Sequence, residues 1–228
     1  MNEQQKELLK LLKLLQDNDC LNHLILIGSW AEYMYMAAAV LPEYEAQIKT
    51  LDIDFLIKNM KKPVPQVNIV PLVKEIGYDV EIDRITGVTK LLSRKGLEVE
   101  FLISQKGNGE SAALKTNLGV TAQALRHLDL LKGNTIAIEY LGIEVVLPEP
   151  EAFVLHKMII NHQRKEKIEK DKNVINRMYR HLDMERFKSL QESLTKKERK
   201  AIAEYMAANI TPMLEKEKKL EEAKKHLG

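Results

Sequence analysis

Asp52 and Asp54 stand two residues apart in the run TLDIDFLI, residues 50–57. On a strand, positions i and i+2 point to one face, so both acids share a side while Leu51, Ile53 and Phe55 take the other. Two such charges about 6 Å apart repel by roughly 2.8 kcal/mol at an effective dielectric near 20. A divalent cation turns that repulsion into attraction, and Mg²⁺ is a hard ion that prefers oxygen ligands. A second signal lies upstream, where the apolar run Leu24-Ile25-Leu26-Ile27 stops at Gly28-Ser29. Gly28 has no side chain, so a ligand can approach the backbone closely there. A helix that begins at or just after Ser29 turns free N–H groups and a positive dipole end toward the turn, which suits phosphate. Ser29 is also a good helix N-cap, with a hydroxyl that can bond a phosphate oxygen.

These residues need a scaffold, and the hydrophobic pattern outlines one. The apolar run at 23–27 reads as a strand. Residues 31–40, rich in Ala and Met, read as a buried helix, and 51–57 as a second strand. Trp30, Tyr33 and Tyr35 fall in or beside that helix; each suits the core, and one of them suits stacking on a base. Before them, 3–16 is an amphipathic helix with Leu8, Leu11, Leu12 and Leu15 on one face. Beyond, 67–76 reads as a short helix and 78–83, 88–93 and 97–103 as strands. The last alternates, with Leu97, Val99 and Phe101 opposite Glu98 and Glu100, as on any strand with one wet face. The segment 105–115 is a polar loop, an active-site flap or a plain connection. Residues 121–131 fit a helix or a bent strand equally, and 134–140 with 143–147 form a hairpin.

Pro148-Glu149-Pro150 marks a boundary. Every signal after it is helical: 151–164, 167–181, 184–194, 195–209 and 212–227, with Thr195-x-x-Glu198 as a capping box. The expected organisation is an α+β fold. A domain at 1–148 holds a mixed sheet flanked by helices, and a helical domain follows at 149–228.

Composition narrows the classes. Hydrophobic content is 45% and charged content 30% over 228 residues, which fits a folded globular chain and not disorder. The single cysteine, Cys20, leaves no internal disulfide and points to a reducing cytoplasm. No apolar run is long enough for a membrane span, and Lys10 and Lys13 interrupt the first leucines, so no signal peptide is expected. Net charge is +2 but uneven. Residues 157–200 hold 14 Lys/Arg against 7 Asp/Glu, a net of +7, while residues 1–156 hold 16 against 21, a net of −5. That asymmetry suits either an anionic partner for the basic segment or an ordinary solvated face. His127, His156 and His162 lack zinc-ligand spacing.

Gly28-Ser29 followed by Asp52-Ile53-Asp54 resembles the signature of the DNA polymerase beta-like nucleotidyltransferase superfamily. Its flavour is that of a poorly characterised bacterial and archaeal branch. The 22 residues between Ser29 and Asp52 exceed the usual gap of that signature, which sets the chain apart from the shorter-gap subfamilies. The resemblance implies a nucleotidyltransferase-like mixed sheet and two Mg²⁺ ions held by Asp52, Asp54 and a third carboxylate. Glu100 takes that third place because apolar residues bracket it as in the superfamily; Glu98, on the same face, is the rival. Gly28 and Ser29 would hold the triphosphate of an NTP. In the same branch a HK pair, an Arg seven residues on and a KD pair recur, matched here by His156-Lys157, Arg164 and Lys170-Asp171. Lys157 and Arg164, two helical turns apart, would share a face that meets phosphate.

The activity so implied moves a nucleoside monophosphate from an NTP to an acceptor hydroxyl and releases pyrophosphate. An RNA 3′ end, a protein hydroxyl and a small molecule all fit as acceptor. Two further classes fit the same fold: a nucleotide- or RNA-binding module without turnover, and an interaction protein such as one member of a toxin–antitoxin pair, with an antitoxin-like partner. Many superfamily members carry an Arg soon after the Gly-Ser pair, where this chain has Glu32 and Tyr33.

Overall fold

The computed structural model of the chain describes residues 1–46, 50–105, 113–164 and 167–227. They form two compact units, Met1–Glu149 and Pro150–Gly228, each with its own core.

The first unit is built on a mixed sheet. Its strands are β1 (Leu24–Ile27), β2 (Asp52–Ile57), β3 (Tyr78–Ile82), β4 (Thr89–Ser93), β5 (Glu98–Ser104), β6 (Ala113–Lys115) and β7 (Thr121–Leu125). The order is β1-β2-β5-β4-β3, and β7, with β6 beside it, also pairs with β5. β2 and β5 run parallel at the centre. The other edge of β5 is shared: β4 lies antiparallel against Glu98–Glu100, and β7 continues in parallel against Leu102–Ser104. A separate hairpin pairs β8 (Thr135–Tyr140) with β9 (Ile143–Pro148).

The period-2 pattern explains the two faces of the sheet. On one, Ile53, Phe55, Val99, Phe101 and Leu91 are fully buried, and the Phe55 and Phe101 rings stack at 6.1 Å. The other face changes character along its length. Ile25, Leu56 and Leu102 pack with Leu128 and Leu131 in a core cluster, whereas the positions two residues back, Asp54 and Glu100, are acidic and only part-buried. The same pair of strands is therefore greasy at one end of this face and charged at the other.

Helices close the unit. α1 (Glu3–Asp17) buries Leu8, Leu11, Leu12 and Leu15, and Asn2 and Gln5 cap its start reciprocally. α2 (Gly28–Ala37) follows β1 directly. α3 (Ile69–Glu75) starts at Asn68, whose side chain accepts from Val70 N–H. The ambiguous 121–131 stretch contains both elements: β7, then α4 (Leu128–Gly133), with His127 in the left-handed region between them. Residues 106–112 of the polar loop lie outside the described residues, and its end forms β6.

The second unit is helical: α5 (Pro150–Ile160), α6 (Ile168–Met178), α7 (Met184–Ser193), α8 (Lys196–Tyr205) and α9 (Thr211–Leu227). Thr195 and Glu198 form the capping box at α8. The sequence suggests a break before Pro212, but a π-helical stretch, Met206–Ile210, carries α8 on into α9. Pro212, which has no N–H to donate, follows that stretch directly, and a π bulge is one of the irregularities by which a continuous helix accommodates a lost ladder bond.

Candidate active site

The site forms where β1 gives way to α2. Gly28 has φ +68°, a left-handed conformation that glycine adopts without a steric penalty. An added Cβ there would collide with the Asp54 carboxylate. The antiparallel register puts Ile27 directly opposite Asp54, so the carboxylate of β2 lies over the first residue of α2. A negative group at a helix N-terminus sits against the positive end of the dipole and its free N–H groups. Ser29 is not the N-cap. α2 begins one residue earlier, and its N-cap, Ile27, has extended backbone and makes no side-chain cap bond of its own. Ser29 thus stands in the first turn of the helix, beside the Asp54 carboxylate.

Register brings four carboxylates into two lateral rows. Asp54 pairs with Glu100 and Asp52 with Glu98 across the parallel β2–β5 ladder. Directly opposite residues point to one face, so all four share the charged end of the sheet. Thr50 Oγ1 donates to Asp52 Oδ2 at 3.2 Å. Register therefore does not choose between Glu100 and its rival Glu98, since each is level with one aspartate.

The sequence reading missed a lysine in this group. Lys90 on β4 lies opposite Glu100, and its Nζ contacts Glu100 Oε1 at 2.7 Å and also pairs with Glu98. The side chains of Lys90, Glu98 and Glu100 are 30%, 31% and 28% exposed. Hydrogen bonds from its ammonium to Glu100 and then Glu98 hold the Lys90 pKa above the usual lysine range. Lys95, in the turn between β4 and β5, faces Glu3 at 3.7 Å. Hairpin arithmetic carries the signal for Lys90. Ser93 N–H bonds Leu97 O across the Arg94-Lys95-Gly96 loop, so paired positions sum to 190 and position 90 faces 100.

Among the described residues, no three His, Cys, Asp or Glu side chains are gathered for a metal ion. The donor set still fits an ion on Asp52 and Asp54, since Mg²⁺ is commonly bound by one or two carboxylates with water and phosphate oxygens completing the shell. It does not fit a three-carboxylate centre while Lys90 occupies Glu100.

The aromatic residues belong to the core. Trp30, Tyr33 and Tyr35 are buried, Tyr33 meets Trp30 edge-on, and its hydroxyl bonds Tyr140 at 3.2 Å. Glu32, where an Arg is common in the superfamily, is buried and accepts from the Tyr44 hydroxyl at 2.5 Å.

In the second unit the proposed phosphate-facing pair is otherwise engaged. α5 ends at Ile160, so Lys157 and Arg164 are not on one helix, and Arg164 follows a 3₁₀ turn. Lys157 is buried and donates to Asp171 Oδ1 at 2.6 Å; Arg164 Nη1 stands 3.5 Å from Oδ2, a charge contact too long for a hydrogen bond. Lys157 Nζ also lies 5.0 Å from the Phe153 ring centroid. Two cations and a carboxylate make an internal ion triad rather than an open basic face.

A structural likeness links the chain to an antigenic nucleotidyltransferase-like protein from Paracoccidioides brasiliensis, at 14% identity and a TM-score of 0.48 over 88% of this chain and 87% of that one. No curated protein matches significantly. The family model described as nucleotidyltransferase matches residues 6–200, and the chain belongs to that nucleotidyltransferase family.

Proposed function

We propose that the first unit binds a Mg²⁺–nucleoside triphosphate at Gly28, Ser29, Asp52 and Asp54 and transfers the nucleoside monophosphate to an acceptor hydroxyl. The observation that carries this is the close approach of the Asp54 carboxylate to Gly28 at the N-terminus of α2. A site for a cation and a site for phosphate oxygens thus abut, as a metal-chelated triphosphate requires. The backbone N–H groups of the first turn of α2 and the Ser29 hydroxyl receive phosphate oxygens. Asp52 and Asp54 hold the magnesium, which when bound neutralises charge on the phosphates. The acceptor oxygen bonds to the α-phosphorus as the bond to the β-phosphate oxygen breaks. Pyrophosphate leaves, and the acceptor proton passes to solvent or to a carboxylate of the site. Positioning and charge neutralisation supply most of such catalysis.

Calorimetry with Mg²⁺ and a non-hydrolysable NTP analogue tests the binding half. The Asp52→Ala/Asp54→Ala double variant should lose metal-dependent nucleotide affinity, and unchanged affinity would remove these residues from the site. A screen of labelled NTPs with cellular RNA or protein tests transfer. A second reading, a nucleotide-binding module without turnover, draws on the engagement of Glu100 by Lys90. It predicts binding with no labelled product.

A further inference from the structure

We infer that Lys90 is a resident cation of the site, standing where a second divalent ion would otherwise bind. The inference rests on the binding site proposed above. Glu98 and Glu100 lie level with Asp52 and Asp54, so the charged end of the sheet holds four carboxylates on two adjacent strands. Like charges placed directly opposite across a ladder destabilise it. The sheet answers that repulsion from its next strand: Lys90, opposite Glu100 on β4, spans both glutamates with one ammonium. The ammonium lies against β5, and Asp52 and Asp54 belong to β2 on the far side of that strand. The four acids are thus divided between two glutamates that share one fixed positive charge and two aspartates on the strand beyond them.

A second Mg²⁺ on Glu100 would have to displace the ammonium from at least one of its two partners. The chain therefore takes one divalent ion, on Asp52 and Asp54, and Lys90 offsets half of the glutamates' charge and holds them in place. Lys90 is a positioning residue in this scheme. It acts on the site through Glu98 and Glu100, and its charge is retained when the metal leaves.

The test counts ions. Mn²⁺ is titrated against the full chain with a non-hydrolysable NTP analogue and followed by electron paramagnetic resonance, with circular dichroism to check the fold. The wild-type chain should bind one Mn²⁺, abolished in Asp54→Ala. Lys90→Gln should bind a second ion at least tenfold more tightly than wild type, and Lys90→Arg, which keeps a cation, should return to one. Adding Glu100→Gln to Lys90→Gln should remove the gained ion. Two Asp54-dependent ions in the wild type would overturn the inference and leave the proposed binding site standing. A single ion in Lys90→Gln with an intact fold would also overturn it. The absence of any Asp54-dependent Mn²⁺ would overturn both.

Discussion

Replacing Gly28 by alanine should cost the first unit stability and, to a greater degree, its metal. Two effects add. The backbone at φ +68° is left-handed, which costs an L-residue about 1–2 kcal/mol. The new methyl group also claims the space of the Asp54 carboxylate. That carboxylate is the end of a side chain and can rotate, so the fold survives, but the acid leaves the helix N-terminus. Loss of such a charge–dipole contact costs about 0.3–1 kcal/mol. The sum, about 1.3–3 kcal/mol, corresponds to a drop in melting temperature of roughly 3–12 °C for a unit of this size. Asp54→Asn, without a methyl at 28, keeps the backbone unstrained and serves as the comparison. Melting followed by circular dichroism reads the first effect, and Mn²⁺ titration reads the second. Gly28→Ala should bind the ion at least tenfold more weakly than wild type. A variant that melts and binds as wild type does would refute the close approach of Asp54 to Gly28 and with it the main support for the site.

Two more outcomes can be checked on the same chain. Asp171→Ala leaves Lys157 buried without its carboxylate and should destabilise the second unit by about 3–5 kcal/mol, measured by urea unfolding, whereas adding Lys157→Met should recover much of the loss. Burial, and secondarily Asp19, push the Cys20 thiol up to about 11. Iodoacetamide at pH 8 should therefore modify Cys20 only after unfolding, and prompt alkylation of the native chain would contradict its burial.

Local pattern made much of the scaffold legible. The alternation Glu98-Val99-Glu100-Phe101 and the run Asp52-Ile53-Asp54-Phe55 each state which side is wet, because a strand alternates its side chains strictly. What they leave open is which strands lie together. The parallel pairing of β2 with β5 sets Glu98 and Glu100 level with different aspartates, and no one-strand pattern contains that fact. Lys90 was within reach, since a three-residue hairpin loop fixes its register. Its part in the site required knowing that β5 lies next to β2. Helical spacing misled at Lys157 and Arg164, because seven residues means one face only while one helix continues. α5 stops between them, and Asp171, from the next helix, gathers both cations. The stretch 121–131 resisted assignment because a strand and a helix meet inside it, so neither period runs long enough to dominate.

The sharing of one edge of β5 by β4 and β7 has a dynamic consequence. β3 and β4 form the outermost pair of the sheet, and β4 joins β5 only along Lys90, Leu91 and Leu92 and the closing turn. Short ladders at an edge open at lower free energy than the centre of a sheet, and they do so without global unfolding. The parallel β2–β5 pair can persist through such an opening, which must also release Thr121 of β7 from Thr89 and from Gly87 of the hairpin turn. Each excursion of the hairpin would lift the Lys90 ammonium away from Glu98 and Glu100 while the carboxylates stay on their rigid strand. The breathing of an edge hairpin would then set how often the charged end of the sheet is bare, and amide hydrogen exchange at Leu91 would report its frequency.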